Sequence, residues 1–145
     1  MATTNATISV SSDIMSYPIR INKSMTMKKA GSCHGLEETT GLNTKKFTST
    51  SAVKIFDAAN ADTGATAGGA NKIYIRNTGT SKANYFYVAF ANGAAAATST
   101  ETIGKLYGGD WMLIPWNATA ATTHDVCVAP NTADTMTLEY MAFVE

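Results

Sequence analysis

Along this chain hydrophobic and polar positions alternate with a period of two far more often than they recur every three or four residues, which predicts strands. Thr7 to Val10 is a short strand candidate. Tyr17, Ile19 and Ile21 alternate with Pro18, Arg20 and Asn22, and Met25 and Met27 continue the alternation. The proline places that strand near an edge. Gly31 to Gly41 holds three glycines and the pair Glu37-Glu38 and reads as a loop; a further strand covers Lys46 to Phe56. Asp57 to Asn71 is almost entirely Ala, Gly, Thr, Asp and Asn, with nothing large to bury, and reads as a surface loop or linker.

Strand signals then become dense. Lys72 to Asn77 is followed by the turn residues Asn77-Thr78-Gly79, and then by Asn84 to Ala91. Ile103 to Tyr107 meets Gly108-Gly109-Asp110 and continues as Trp111 to Trp116, a pattern that predicts a hairpin. Asp125 to Ala129 and Thr135 to Val144 complete the set. Strands recurring at this spacing with polar turns predict an all-β protein, an antiparallel β-sandwich or jelly roll. The expected organisation is a strand-rich N-terminal segment (1–56), a Gly/Ala-rich loop or linker (57–71) and a β-sandwich unit (72–145), forming one compact domain with part of 1–56.

The alternation carries a surplus. Phe86, Val88 and Phe90 fall on one face of their strand, yet the other face holds Tyr85, Tyr87 and Ala89. Trp111 and Leu113 oppose Met112, Ile114 and Trp116; Met136, Leu138 and Tyr140 oppose Thr137, Glu139 and Met141. A sandwich core accounts for one face, so the N-terminal segment or a neighbouring subunit must cover part of the other. Tyr85, Tyr87, Trp111 and Trp116 are therefore the candidates for subunit contact in a homo-oligomer.

Composition agrees with strands. Ala and Thr together make 45 of the 145 residues, and Leu occurs five times, which leaves little helical material. The longest apolar run in the second half, Tyr85 to Ala91, falls far short of the ~20 residues of a membrane-spanning helix. Met1 to Ser12 is polar and Thr-rich, unlike a signal peptide. The expectation is a soluble protein with no membrane partner.

The chain has 11 Lys and Arg against 11 Asp and Glu. From Met1 to Lys82 there are ten basic residues and five acids; from Ala83 onward Lys105 stands against six acids. The basic residues are spread out, and the sum is zero, which argues against nucleic acid as the main partner. The asymmetry fits a bipolar subunit whose basic portion meets an acidic neighbour.

Candidate chemistry is thin. Cys33-His34 and His124-x-x-Cys127 supply the ligand types of a zinc site, but neither half has the usual spacing. A Cys33–Cys127 disulfide would need an oxidising compartment. The expectation is two free cysteines, no metal and no cofactor. Cys127, His34 and Asp125 form a nucleophilic trio on paper only, and Glu37, Glu38 and Asp110 are loose carboxylates. Gly104-Lys105 fails as a phosphate loop, since Ser99 and Leu106 occupy the positions that need Gly and Ser or Thr. No enzymatic activity is expected. Tyr107 and Trp116, beside the Gly-Gly turn, offer flat faces on which a sugar ring could stack.

The succession KIYIRNTG, YFYVAF, GKLYGGDWMLIPWN, DVCVAPN and TLEYMAFVE resembles small β-sandwich virion proteins of tailed bacteriophages, particularly those of marine cyanobacterial phages. The positions that carry the resemblance are Leu106, Gly109, Asp110, Ile114, Pro115, Trp116, Leu138, Glu139 and Tyr140. It covers Lys72 to Glu145, about half the chain. It implies a structural role without catalytic residues. On that footing the expected function is a capsid decoration or cement subunit. It would be trimeric, located on a virion assembled in the host cytoplasm, with the major capsid protein or other virion proteins as partners. Arg20, Lys23, Lys28 and Lys29 are the candidates for capsid contact. The alternative is a tail- or fibre-associated carbohydrate-binding module, with Tyr107 and Trp116 as its sugar platform.

Overall fold

The computed structural model describes residues 3–14, 17–36, 38–58, 69–91, 102–118 and 124–145. Among them are eleven strands and no helix long enough to name: β1 (Asn5–Ser12), β2 (Ile19–Thr26), β3 (Glu38–Thr39), β4 (Asn43–Phe47), β5 (Val53–Phe56), β6 (Lys72–Asn77), β7 (Tyr85–Ala91), β8 (Thr102–Tyr107), β9 (Trp111–Pro115), β10 (Asp125–Pro130) and β11 (Met136–Val144). β1 and β2 pair only with each other. The rest form two antiparallel sheets. One has the order β4–β11–β6–β9, with the short β3 beside the far end of β11. The other has the order β5–β10–β7–β8. From β4 onward every connection except β7–β8 passes from one sheet to the other, which is the winding of an eight-stranded jelly roll.

Alternation places the core as expected. Ile73 and Ile75 of β6, Phe86 and Val88 of β7, Val126 and Val128 of β10 and Leu138 of β11 are buried between the sheets. Phe47 closes one side, its ring edge-on to Phe86 at 5.1 Å. Phe56 does the same elsewhere, between Trp116 and Tyr140.

The part of 1–56 that joins the sandwich is chiefly β4 and β5, which supply an edge strand to each sheet. Two sequence expectations need correction. The run Lys46 to Phe56 is two strands, since the chain crosses between the sheets after Phe47. The Gly108-Gly109 turn does not close a hairpin: β8 pairs with β7, and β9 pairs with β6 in the other sheet. The turn caps the end of the sandwich instead. Gly109 has φ +92°, and a Cβ on Gly108 would lie 2.5 Å from the Ser81 carbonyl oxygen. Asn77 holds this corner together. Its buried amide donates to the Leu106 carbonyl at 3.0 Å and accepts from the Gly79 N–H at 3.0 Å, while the Gly109 N–H donates to its carbonyl. The predicted linker falls mostly on 59–68, outside the described residues.

Candidate interaction surface

The β1–β2 hairpin is amphipathic and almost wholly in water. In its register Ala6 faces Met25, Ile8 faces Lys23, Val10 faces Ile21 and Ser12 faces Ile19. Period-two geometry puts these residues on one face. The opposite face is a polar ladder, in which Thr26 Oγ1 donates to Asn5 Oδ1 at 2.8 Å and Thr7 Oγ1 to Ser24 Oγ at 3.1 Å. Every residue of β2 is exposed. Of the eleven exposed large hydrophobic side chains described, seven belong to this arm: Ile8, Val10, Ile14, Tyr17, Ile19, Ile21 and Met25. Among the described residues, exposed apolar side chains are thus concentrated on one element.

The foot of the arm is fixed to the sandwich. Met27 N–H donates to the Thr4 carbonyl and Leu36 N–H to the Met27 carbonyl, both at 2.8 Å, and the Met27 and Leu36 side chains are buried. Ala30 N–H donates to Glu145 Oε2 at 3.0 Å, and Ala70 N–H to the same oxygen at 2.9 Å. These two backbone bonds, followed by the Lys29 and Lys72 charges, hold the Glu145 carboxyl below the usual glutamate range. Where the hairpin meets the outer side of β9, Ile8, Lys23, Met25, Trp111 and Leu113 line an apolar groove of about 230 Å³. The N-terminal segment covers part of the surplus face that the alternation exposes, yet Trp111 remains 51% exposed.

The other candidates fall in separate places. Trp116 is 1% exposed; its indole N–H donates to the His124 carbonyl at 2.8 Å and its ring meets Phe56. It is a core residue, which removes it from both the subunit-contact set and the sugar platform. Tyr85 and Tyr87 do lie on an outer face, that of the second sheet. Their hydroxyls are hydrogen-bonded at 3.0 Å, Tyr107 packs 5.0 Å from Tyr85, and Lys105 Nζ sits 4.7 Å above the Tyr85 ring. The bond to Tyr87, with the Lys105 charge adding to it, holds Tyr85 below the usual tyrosine range and raises Tyr87 in turn.

Trp111 projects from the outer side of the first sheet, so it does not share a face with the tyrosines. Arg20 and Lys23 are three residues apart on β2 and point to opposite sides of the hairpin; Lys28 and Lys29 sit at its foot. From Arg20 to Lys28 the chain runs ~25 Å, so the four are not one patch. Sequence reading missed the arm as a unit, although the alternation of Ile8 with Val10 and that of Ile19 and Ile21 with Met25 are its signal.

Cys33 is exposed and Cys127 buried, and no disulfide joins them. Burial, followed by the nearby Asp125 charge, pushes the Cys127 thiol up, which favours the protonated form over the thiolate. Asp125 is buried beside it, accepting from the Ala58 N–H at 2.8 Å and lying 3.0 Å from Lys54 Nζ. That Lys54 contact is a charge pair without hydrogen-bond alignment. Lys54 also meets Asp57 at 2.7 Å, and the two carboxylates raise its pKa. Among the described residues no group of three or more His, Cys, Asp and Glu is placed to hold a metal ion. No helix among them is long and apolar enough to cross a membrane. Comparison with family models, with curated proteins and with solved structures gives no match.

Proposed function

We propose that the chain is a structural subunit of a viral particle, a capsid decoration or cement protein of the tailed-phage type that stabilises the head through oligomeric surface contacts. The observation that carries this reading is the arm: among the described residues of this jelly roll, seven of the eleven exposed large hydrophobic side chains lie on one hairpin. Such a surface is costly for a solitary protein and useful to one that assembles. Jelly rolls also recur in viral shells, an analogy of fold that supports the reading without carrying it. The mechanism is additive, since each copy contributes a moderate interface and the shell gains from many copies. Lys28 and Lys29, at the foot of the arm, are the basic contacts offered to an acidic shell.

The test is co-sedimentation of the purified chain with phage heads stripped of their surface proteins. Saturable binding is expected. Lys28→Glu with Lys29→Glu weakens it at low salt, and the difference narrows as ionic strength rises. Heads that take up neither protein at any concentration overturn the reading.

A second reading, a carbohydrate-binding module, draws on the Tyr85, Tyr87, Tyr107 and Lys105 face in place of the Tyr107–Trp116 platform. Glycan binding that disappears in Tyr107→Ala, with head binding unaffected, decides for it.

A further inference from the structure

The two ends of the arm are complementary. At its tip Ile14 is 92% exposed and Tyr17 86% exposed, and Asp13 stands beside them. At its foot the groove of Ile8, Met25, Trp111 and Leu113 is open and apolar, with Lys23 also in its lining. The tip cannot reach its own groove. The strands are paired along their whole length, and from Ile8 to Ile14 an extended chain covers ~20 Å away from the foot. A rigid hairpin does not fold back on itself, so the occupant must come from another molecule.

We propose that the hairpin tip of one copy of this chain docks in the foot groove of a second copy. Ile14 and Tyr17 enter against Met25, Trp111 and Leu113, and the Asp13 carboxylate meets Lys23. Along the stripe between tip and foot, Val10, Ile19 and Ile21 are covered by the neighbour's arm. Taken at their fractional exposures, these side chains and Trp111 present on the order of 900 Å² per copy, close to the ~800 Å² that each partner of a standard-size interface buries. With the two stripes facing each other, each tip lies in the other copy's foot groove, so the contact is isologous and closes on itself as a two-fold pair. An isolated two-stranded hairpin is marginal in water, so docking also stabilises the arm itself.

The inference rests on the assembly reading only in assigning the arm to copies of the same chain; binding to heads is scored separately and can fail without it. The test is sedimentation equilibrium of the full chain, with circular dichroism to show that the folded signal is kept. Two double variants are made: a tip variant, Ile14→Ser with Tyr17→Ser, and a foot variant, Met25→Ser with Trp111→Ser. All four positions are exposed or half-exposed, so neither variant opens the core. The parent is expected to self-associate, and each variant alone to associate at least tenfold more weakly. An equimolar mixture restores pairing, because the intact tip of one variant meets the intact groove of the other. A parent that stays single at the highest concentration overturns the inference. So do variants that associate like the parent, which would place the contact elsewhere. A mixture that stays single while the parent associates also overturns it, in favour of a contact that does not join tip to foot.

Discussion

Trp116 shows how far a single residue can be placed from sequence and where that stops. Two-residue alternation puts it on the side of Met112 and Ile114, opposite Trp111, and that is where it lies. Its assignment to a subunit contact or a sugar shelf came from its chemistry, against its parity. With its ring against Phe56 and its indole N–H given to the His124 carbonyl at 2.8 Å, it supports the fold and touches no outer surface. Trp116→Ala is expected to cost about 3–5 kcal/mol, the usual range for emptying a large aromatic site. Trp116→Phe keeps most of the packing and loses mainly the hydrogen bond, about 1–2 kcal/mol. Urea unfolding of both variants measures the difference, and equal costs would mean that packing around the ring is unimportant. Trp111, half exposed on the opposite side, should tolerate the same truncation with little change in folding stability.

Among the elements, the arm depends on how its foot is tied down, and that tie has a pH dependence. The ionised Glu145 side chain accepts two backbone N–H groups, from Ala30 at the foot and from Ala70 before β6. Its pKa is lowered in the folded protein, so the tie contributes fully above the unfolded pKa and is lost as pH falls through the folded one. The Ala30 and Ala70 amide proton resonances should therefore titrate together in acid, with a common midpoint below the ~4.3 of an unperturbed glutamate. In Glu145→Gln that shared titration should vanish. A midpoint at or above the unperturbed value would mean that the two N–H groups do not hold the carboxylate. The arm's strands were legible one by one, through the parity of Ile8 and Val10 and of Ile19 and Ile21. Their pairing was not, because the connecting residues lack the Asn-Gly or Asp-Gly chemistry that marks a tight hairpin. The opposite error arose at Gly108-Gly109, where the glycines serve a close approach to Ser81 and a left-handed φ at a sheet-to-sheet corner.

For the whole molecule, the sandwich was legible because it follows from alternation repeated over many short strands, but sheet membership was not. β4 joins β11 through pairs such as Phe47 with Met136, and β5 joins β10 through Phe56 with Val126, partners that lie far apart along the chain. No local pattern encodes such a pairing, so the sequence does not say which part of 1–56 joins which sheet. A direct consequence distinguishes the two descriptions. A chain beginning at Met27 lacks the arm but keeps every strand of both sheets, and should unfold cooperatively with Tm changed by only a few degrees. A chain beginning at Lys72 loses β4 and β5, leaving β11 and β10 as long open edges and removing Phe47 and Phe56 from the core. Two buried aromatic side chains at about 3–5 kcal/mol each already consume most of a typical 5–15 kcal/mol stability, before the lost strand pairing is counted. The shorter chain should therefore aggregate or show no cooperative melt in calorimetry. A sharp transition from it would make β4 and β5 accessories to a self-sufficient C-terminal unit, and the jelly roll would no longer be the folding unit of this protein.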